Sequence, residues 1–344
     1  MRRPVADRFL ERRWEPTSPF SRLVGAVLAP LSWLYAAAVR MRNAAYDRGT
    51  FATHSLGRPT VSIGNLTVGG TGKTPLASWF AQQLLAAGER PAILLRGYGG
   101  DEVLVHEHLV PSALVVVGAD RIASAAHARA RGATVLVLDD GFQHRRAQRD
   151  ADVVLVSADG HQTVRMLPAG PWREPAESLR RATHIVVTRK RTPPQGAKQV
   201  AGDVSRLAPD AEVSIVHLAP DALVRWDTGE RKRLELLIGA RALVICAIGD
   251  PQAFVAQLQQ LGARCAARTY PDHYAFSGDD VRQLVDDSTS ADFAVCTLKD
   301  AVKLGPLWPP AAQPLWYLSQ RVSIEHGAES LDGLVRRLAA SAHN

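Results

Sequence analysis

RPTVSIGNLTVGGTGKTPLASWFAQQLL, residues 58–85, decides the fold. Thr60 to Ile63 is an apolar run suited to a strand, and from Lys73 onward Leu76, Phe80, Leu84 and Leu85 recur on one helical face. Between them lie Gly64, Gly69, Gly70 and Gly72, and Lys73-Thr74 open the helix. That is the layout of a phosphate-binding loop. Glycines let successive backbone N–H groups turn toward phosphate oxygens, and the helix start adds partial positive charge. Lys73 can reach the β- and γ-phosphates and the Thr74 hydroxyl can ligate Mg²⁺. The pattern G-x-x-x-x-G-K-[ST] is met except at its first glycine, where Thr67 stands. ATP and Mg²⁺ are therefore the expected cofactors, with Thr67, Val68, Gly69, Gly70, Thr71, Gly72, Lys73 and Thr74 around the nucleotide. The competing reading, a Gly-rich turn before an ordinary helix, leaves the strand, loop, Lys-Thr and helix order to coincidence.

Working outward, 344 residues with 46% hydrophobic and 22% charged side chains suffice for two α/β cores. Cys246, Cys265 and Cys296 each fall inside an apolar run without paired or metal-type spacing, so they read as reduced core residues of a cytosolic protein. The net charge of +7 is uneven: residues 1–48 hold nine arginines against Asp7, Glu11, Glu15 and Asp47, a surplus of +5. A nucleic-acid binder would spread or stripe that charge and interleave aromatics, and the sequence shows neither.

LVGAVLAPLSWLYAAAV, residues 23–39, is an uncharged run flanked by Arg22, Arg40 and Arg42. It is at the short limit for a spanning helix and contains Pro30. A buried helix is one reading. The preferred one is a helix lying in, or dipping into, the inner face of a membrane, with Trp33 and Tyr35 at the interface and arginines toward anionic headgroups.

After the loop, Pro91 to Leu95 reads as a strand ending in RGYGGDE, which places Asp101 and Glu102 at the carboxyl edge of a sheet, where ligands bind. Taken alone, a solvated loop explains them equally well. The run TVLVL, 134–138, ends in Asp139-Asp140, the form of a strand whose carboxylate reaches Mg²⁺. The loop MLPAGPWREP, 166–175, reads as shaped for a ligand, and His106-Glu107-His108 as a solvated loop. Residues 213–237 read as a hairpin around Asp227-Thr-Gly229, and Ser277 to Asp280 as a capping box before a helix.

Four of these runs, GNLTVGGTGKTP (64–75), LDDGFQHRR (138–146), LPAGPWREP (167–175) and YPDHYAF (270–276), occur in order behind an apolar segment ending RNAAYDRG (42–49). Together they closely resemble the tetraacyldisaccharide 4′-kinase family, over roughly residues 20–305. The resemblance implies an ATP-dependent lipid kinase of lipid A biosynthesis, acting on the 4′-hydroxyl of a tetraacylated glucosamine disaccharide 1-phosphate at the cytoplasmic face of the inner membrane. With nucleic acid already excluded by the charge pattern, the expected partners are the lipid substrate and the membrane surface, and no obligatory protein partner is evident. The implied fold is a P-loop NTPase-type, mostly parallel sheet domain with helices on both faces, plus a smaller α/β domain. The expected divisions are a membrane-associated segment 1–48, the kinase domain 49–212, a hairpin linker 213–237 and a C-terminal domain 238–344.

The same resemblance makes Asp101 the catalytic base, His273 its partner from the second domain, and Lys73 the catalytic lysine. Thr74, Glu102, Asp139 and Asp140 become the metal set. Substrate-side candidates are Arg121, Gln143, His144, Arg173 and Glu174; for the two arginines, surface charge is the alternative. Two departures stand out. The segment between Tyr98 and Asp101 is much shorter than the family's, and the family's Thr-Glu-Lys-Asp appears as Thr297-Leu298-Lys299-Asp300. The rival readings are a P-loop GTPase or metallochaperone-type switch, for which that Thr-Leu-Lys-Asp would supply a guanine-reading element, and a non-catalytic membrane nucleotide sensor.

Overall fold

The structure, a computed structural model, describes residues 19–97, 100–159 and 165–343, with side chains from residue 27 onward. The five arginines among residues 1–18 and the Tyr98-Gly99 step of the shortened segment lie outside the described residues. The chain forms two compact units: Met1–Arg96, Ser112–His217 and Ser323–Asn344 make up the first, Gly97–Pro111 and Leu218–Val322 the second.

In the first unit, β1 (Thr60–Asn65) pairs with β4 (Val135–Asp139) on one side and β5 (Ala151–Ser157) on the other. Beyond β4 come β2 (Pro91–Leu95) and β3 (Leu114–Val117), and beyond β5 come β6 (His184–Arg189) and the start of β7 (Glu212–Arg225). All these pairings are parallel. Every residue of β1, β2, β4 and β6 is buried, as a parallel sheet covered on both faces requires. That is why β2 and β4 read as apolar runs, while β1 and β6 also bury polar side chains such as Ser62 and Thr188. Leu136 and Leu138 of β4 pack with Ala125 and Ala128 of α4 (Arg121–Ala130), while Val154, Ile185 and Val187 pack with Ala197 and Val204 of α5 (Pro194–Leu207). Ile63 lies opposite both Asp139 and Val153, so β1, β4 and β5 end at one edge, where the strand order switches direction. The loop from β1 to α2 (Lys73–Ala86) opens there.

Two glycines are demanded by this geometry. A Cβ on Gly64 would come within 2.5 Å of the Phe142 Cβ and 2.9 Å of its backbone nitrogen, so only glycine lets β1 pass the chain leaving β4. Gly72 has φ of 94° and begins α2 without a side-chain cap, leaving the first N–H groups of that helix to a ligand.

In the second unit the order is β10 (Arg264–Thr269), β9 (Arg241–Cys246), β11 (Phe293–Cys296), β12 (Leu315–His326) and the end of β7, with the first three pairings parallel. The two faces of β9 separate cleanly. Leu243 and Ile245 pack with Val281 and Leu284 of α7 (Gly278–Ser288) and Ala301 of α8 (Leu298–Leu304), whereas Val244 and Cys246 pack with Phe254 and Leu258 of α6 (Pro251–Gln260). Ser277 and Asp280 form the reciprocal capping box, and β8 (Arg231–Lys232) closes the hairpin on β7, Leu223 opposite Lys232. Cys246 and Cys296 are buried and Cys265 half-buried, all free; burial pushes the Cys246 thiol up to about 12.

The units divide the chain differently from the sequence reading. Residues 213–237 are no separate linker, because β7 is continuous and passes from one unit to the other at His217. Residues 97–111 belong to the second unit, since α3 (Asp101–Leu109) packs on α8. His106-Glu107-His108 is accordingly part of a helix and not a solvated loop: His106 is fully buried, and His108 Nε2 is 3.0 Å from Tyr317 Oη with its ring stacked on Trp226. The end of the chain returns to the first unit, where α9 (Ala328–Ser341) buries Leu331, Leu334, Val335 and Leu338 and packs on α2.

The N-terminal helix α1 (Pro19–Asp47) is also part of the first unit. Its Ser32, Ala36, Val39 and Asn43 are buried, one face at helical spacing, while Val27, Leu31, Trp33, Leu34 and Met41 are exposed. Among the described residues no helix is long and apolar enough to cross a membrane.

Candidate functional site

The phosphate loop is braced from three sides. Asn65 Nδ2 donates to Thr71 Oγ1 at 2.9 Å, Thr188 Oγ1 to the Thr71 carbonyl at 2.9 Å, and Lys190 Nζ to the Gly70 carbonyl at 3.2 Å. The loop 165–175 lies along its start: Val68 N donates to Pro171 O at 2.8 Å and Arg173 N to Leu66 O at 2.7 Å. Thr67 forms a bridge with Trp172 there, so a side chain stands where the usual motif has glycine.

At the ends of β1 and β4 the charges converge. Asp140 has a left-handed φ of 55°, accepts from Arg173 Nη1 at 2.7 Å, and faces Lys73 Nζ at 3.7 Å. Burial raises the Asp140 carboxyl, but Lys73, Arg173 and Arg121 outweigh it and hold the group below the usual carboxylate range. Arg121 is no surface charge. It is 2% exposed, donates to the carbonyls of Asp139 (3.0 Å) and Gly118 (3.2 Å), and is lowered to about 10, first by burial. It fixes the backbone that carries the two aspartates.

Gln143 Nε2 donates to the Asn65 carbonyl at 2.8 Å, tying the segment after β4 to the end of β1. The His144 imidazole is held below its ordinary range by burial and by Arg121, Arg149 and Arg96. Glu174, 1% exposed, accepts from Asn43 Nδ2 and Arg181 Nη2, each at 2.9 Å, and pairs with Arg42 at 3.4 Å. Together with Tyr35 Oη donating to the Arg173 carbonyl at 3.0 Å and Ser32 Oγ to Met166 O at 3.0 Å, this fastens α1 to the loop that carries Arg173.

The second unit holds the other constellation. Asp101 opens α3, is 6% exposed, and its carboxylate lies 2.8 Å from His273 Nδ1. Burial raises Asp101, but the hydrogen bond and charge of His273, with Lys299 and Lys303, bring it below the usual carboxylate range. His273 has φ of 57°, and its Nε2 is 3.6 Å from Asp272. Both members belong to one unit, which corrects the expectation that they come from separate domains: their pairing needs no domain closure. Glu102, expected in the metal set, pairs here with Lys299 at 3.8 Å.

Comparison with known proteins brings these pieces under one heading. The model of the family described as Tetraacyldisaccharide-1-P 4'-kinase (LpxK) matches residues 24–102 and 99–339. The chain belongs to this family. Its relatives include a tetraacyldisaccharide 4'-kinase of Geobacter metallireducens, 38% identical over 83% of this chain and 90% of that protein. Another, from Anaeromyxobacter sp. (strain K), is 37% identical over 97% and 96%. A crystal structure of LpxK from Aquifex aeolicus in complex with ATP matches with a TM-score of 0.72 and 28% identity, over 92% of this chain and 99% of that one.

Membership in the LpxK family removes the GTPase reading, and the geometry gives the physical reason. Asp300 of the Thr-Leu-Lys-Asp run is fully buried: Thr297 Oγ1 donates to it at 2.7 Å and Ala247 N at 3.2 Å, leaving no carboxylate to read a base. Mg²⁺ fits the first unit's donor set, which is all oxygen: the Thr74 hydroxyl, Asp139 and Asp140. Asp140 Oδ1 is buried and makes no hydrogen bond among the described residues. No three His, Cys, Asp or Glu side chains converge among those residues. Asn43, Asn65, Thr188 and Lys190 contact the site or its supports and escaped the sequence reading. They are single polar residues outside a recognisable spacing, or inside a strand where a buried polar side chain carries no periodic signal.

Proposed function

We propose that this chain transfers the γ-phosphoryl group of ATP to the 4′-hydroxyl of a tetraacylated glucosamine disaccharide 1-phosphate, a step of lipid A biosynthesis. The family match along nearly the whole chain carries this reading, because it spans the phosphate loop and the Asp101–His273 pair together. ATP would lie on residues 67–74, where uncapped N–H groups of α2 and Lys73 meet its phosphates. Lys73 would exchange its partner Asp140 for the phosphates. Thr74 with Asp139 and Asp140 would hold Mg²⁺, which supplies charge neutralisation across the β- and γ-phosphate oxygens. Arg173 is the residue we assign to phosphate contact; Arg121, buried under Asp139, is its support.

Asp101 is proposed as the proton acceptor. A sugar hydroxyl is far too weak an acid to be ionised beforehand by a carboxylate, so the proton leaves as the oxygen attacks. His273 Nδ1, hydrogen-bonded to that carboxylate, orients it and spreads the proton's charge.

The exposed Val27, Leu31, Trp33, Leu34 and Met41 of α1 support an interfacial role. An outward apolar face on a helix docked through Ser32 and Asn43 suits the acyl boundary of the inner membrane's cytoplasmic leaflet. The deciding experiment incubates purified protein with γ-labelled ATP, Mg²⁺ and the disaccharide 1-phosphate acceptor in detergent. A labelled lipid is expected. ATP turnover with no label reaching the disaccharide overturns the assignment.

A further inference from the structure

The run Thr297-Leu-Lys-Asp300, deprived of any part in reading a base, has a different place in the molecule. His273 is a non-glycine residue in the left-handed region, a conformation that persists only where its surroundings over-determine it. Its own N–H donates to the carbonyl of Ala247 at 3.2 Å. The N–H of that same Ala247 donates at 3.2 Å to Asp300 Oδ1, and the next carbonyl after His273, that of Tyr274, accepts from Lys303 Nζ at 3.3 Å. Lys303 Nζ and Asp300 Oδ1 are 3.4 Å apart, and the ammonium lies 5.5 Å from the Phe276 ring centre. Thr297 completes the arrangement by donating to Asp300 Oδ2 at 2.7 Å while its oxygen caps α8.

We propose that Asp300 and Lys303 are positioning residues, Asp300 fixing the Ala247 peptide that receives the His273 N–H and Lys303 the carbonyl of Tyr274, and so keep the imidazole in line with Asp101. A fully buried carboxylate with one cation is a poor device for stability alone, since an apolar pair of similar volume serves as well or better. Here Asp300 also takes the N–H of Ala247, whose carbonyl receives the His273 N–H, and Lys303 takes the carbonyl that follows the strained residue. The pair acts on His273 through the main chain of residues 247 and 273–274, beside the through-space charge by which Lys303 helps hold Asp101 ionised.

The inference rests on the reading of Asp101–His273 as the base pair, and the test separates the two. Lys303→Met, His273→Ala and the double variant are compared for kcat and for the KM of both substrates. Lys303→Met should lower kcat roughly 10- to 100-fold, the scale of an ångström-sized misplacement, with both KM values nearly unchanged. In the His273→Ala background the same substitution should have no further effect. Because Lys303→Met strands a buried carboxylate, Asp300→Asn/Lys303→Met is measured beside it. That neutral pair should fold, stay slow, and lose its effect in the His273→Ala background too, while Lys303→Arg recovers activity. Equal losses with and without His273 overturn the positioning role and leave the base pair standing. A fully active His273→Ala overturns both.

Discussion

Around Lys73, the groups we assign to a phosphate come from residues 67–74 and are mostly backbone. Around His273, the groups that fix one imidazole come from positions 101, 247, 274, 300 and 303, scattered over more than half the chain. The first site uses glycine where a side chain would collide or φ must be positive, as at Gly64 and Gly72. The second holds a histidine in that same left-handed region by tying down its neighbours. A phosphate presents several equivalent oxygens and tolerates a cradle of equivalent donors. A single proton has one path and needs one atom held in one place.

The comparison breaks most visibly at Lys73. Lys73→Ala should reduce kcat/KM by on the order of 10³-fold or more, the scale of removing a main electrostatic contact to the transferred group, with the fold intact by circular dichroism. Near-normal turnover would remove the loop from the nucleotide site. Next in size, Asp101→Ala should lower kcat by ~10²–10³-fold and leave ATP affinity unchanged, as for loss of a general base. Asp101→Ala/His273→Ala should be little worse, because the two act as one unit. Combined with Lys73→Ala, by contrast, the Asp101 effect should multiply, a cycle that measures directly whether the two regions are separate devices. If Glu102 proves indispensable while Asp101 does not, the base belongs one position along the first turn of α3.

Smaller effects sharpen the same contrast. Gly64→Ala should destabilise the first unit by roughly 1–3 kcal/mol in denaturant titration, as an overpacked contact against backbone does. Unchanged stability would mean the chain after β4 yields more readily than its packing implies. Smallest is the effect at Trp33, which is 73% exposed. Trp33→Ala should weaken sedimentation with anionic phospholipid vesicles by a few-fold while kcat on detergent-dispersed acceptor stays within about twofold, as expected for an interfacial aromatic. High salt should release only part of the intact protein, because apolar burial is not screened. Vesicle binding that vanishes entirely in salt would make the arginines, and not the apolar face, the attachment.

How much could be read beforehand follows the same division. The parallel sheet of the first unit was legible because covering both faces gives its central strands mostly apolar sequences, and because Lys73-Thr74 sit where such a strand meets a helix. The Asp101–His273 pair came from a resemblance; no local periodicity links positions 172 residues apart. Its membership in a single unit was illegible, since the packing of α3 on α8 depends on tertiary contacts that leave no mark on either helix's own pattern. Asp300 kept a rival reading open because Thr-x-Lys-Asp looks the same whether its carboxylate faces a ligand or, as here, a backbone amide.

The fastening of α1 changes what it means to solubilise this protein. Ser32 reaches the Met166 carbonyl, Tyr35 the Arg173 carbonyl and Asn43 the buried Glu174, so the segment that presents apolar side chains outward is also a wall of the loop that carries Arg173. Cutting the chain after residue 43 would therefore strand the Glu174 carboxylate beside Arg181 and loosen Arg173 from Asp140. A soluble version is better sought by exchanging Leu31, Leu34 and Met41 for polar residues, which leaves every inward bond of the helix in place. If the proposed membrane contact holds, its apolar face can be made polar while the helix itself has to stay.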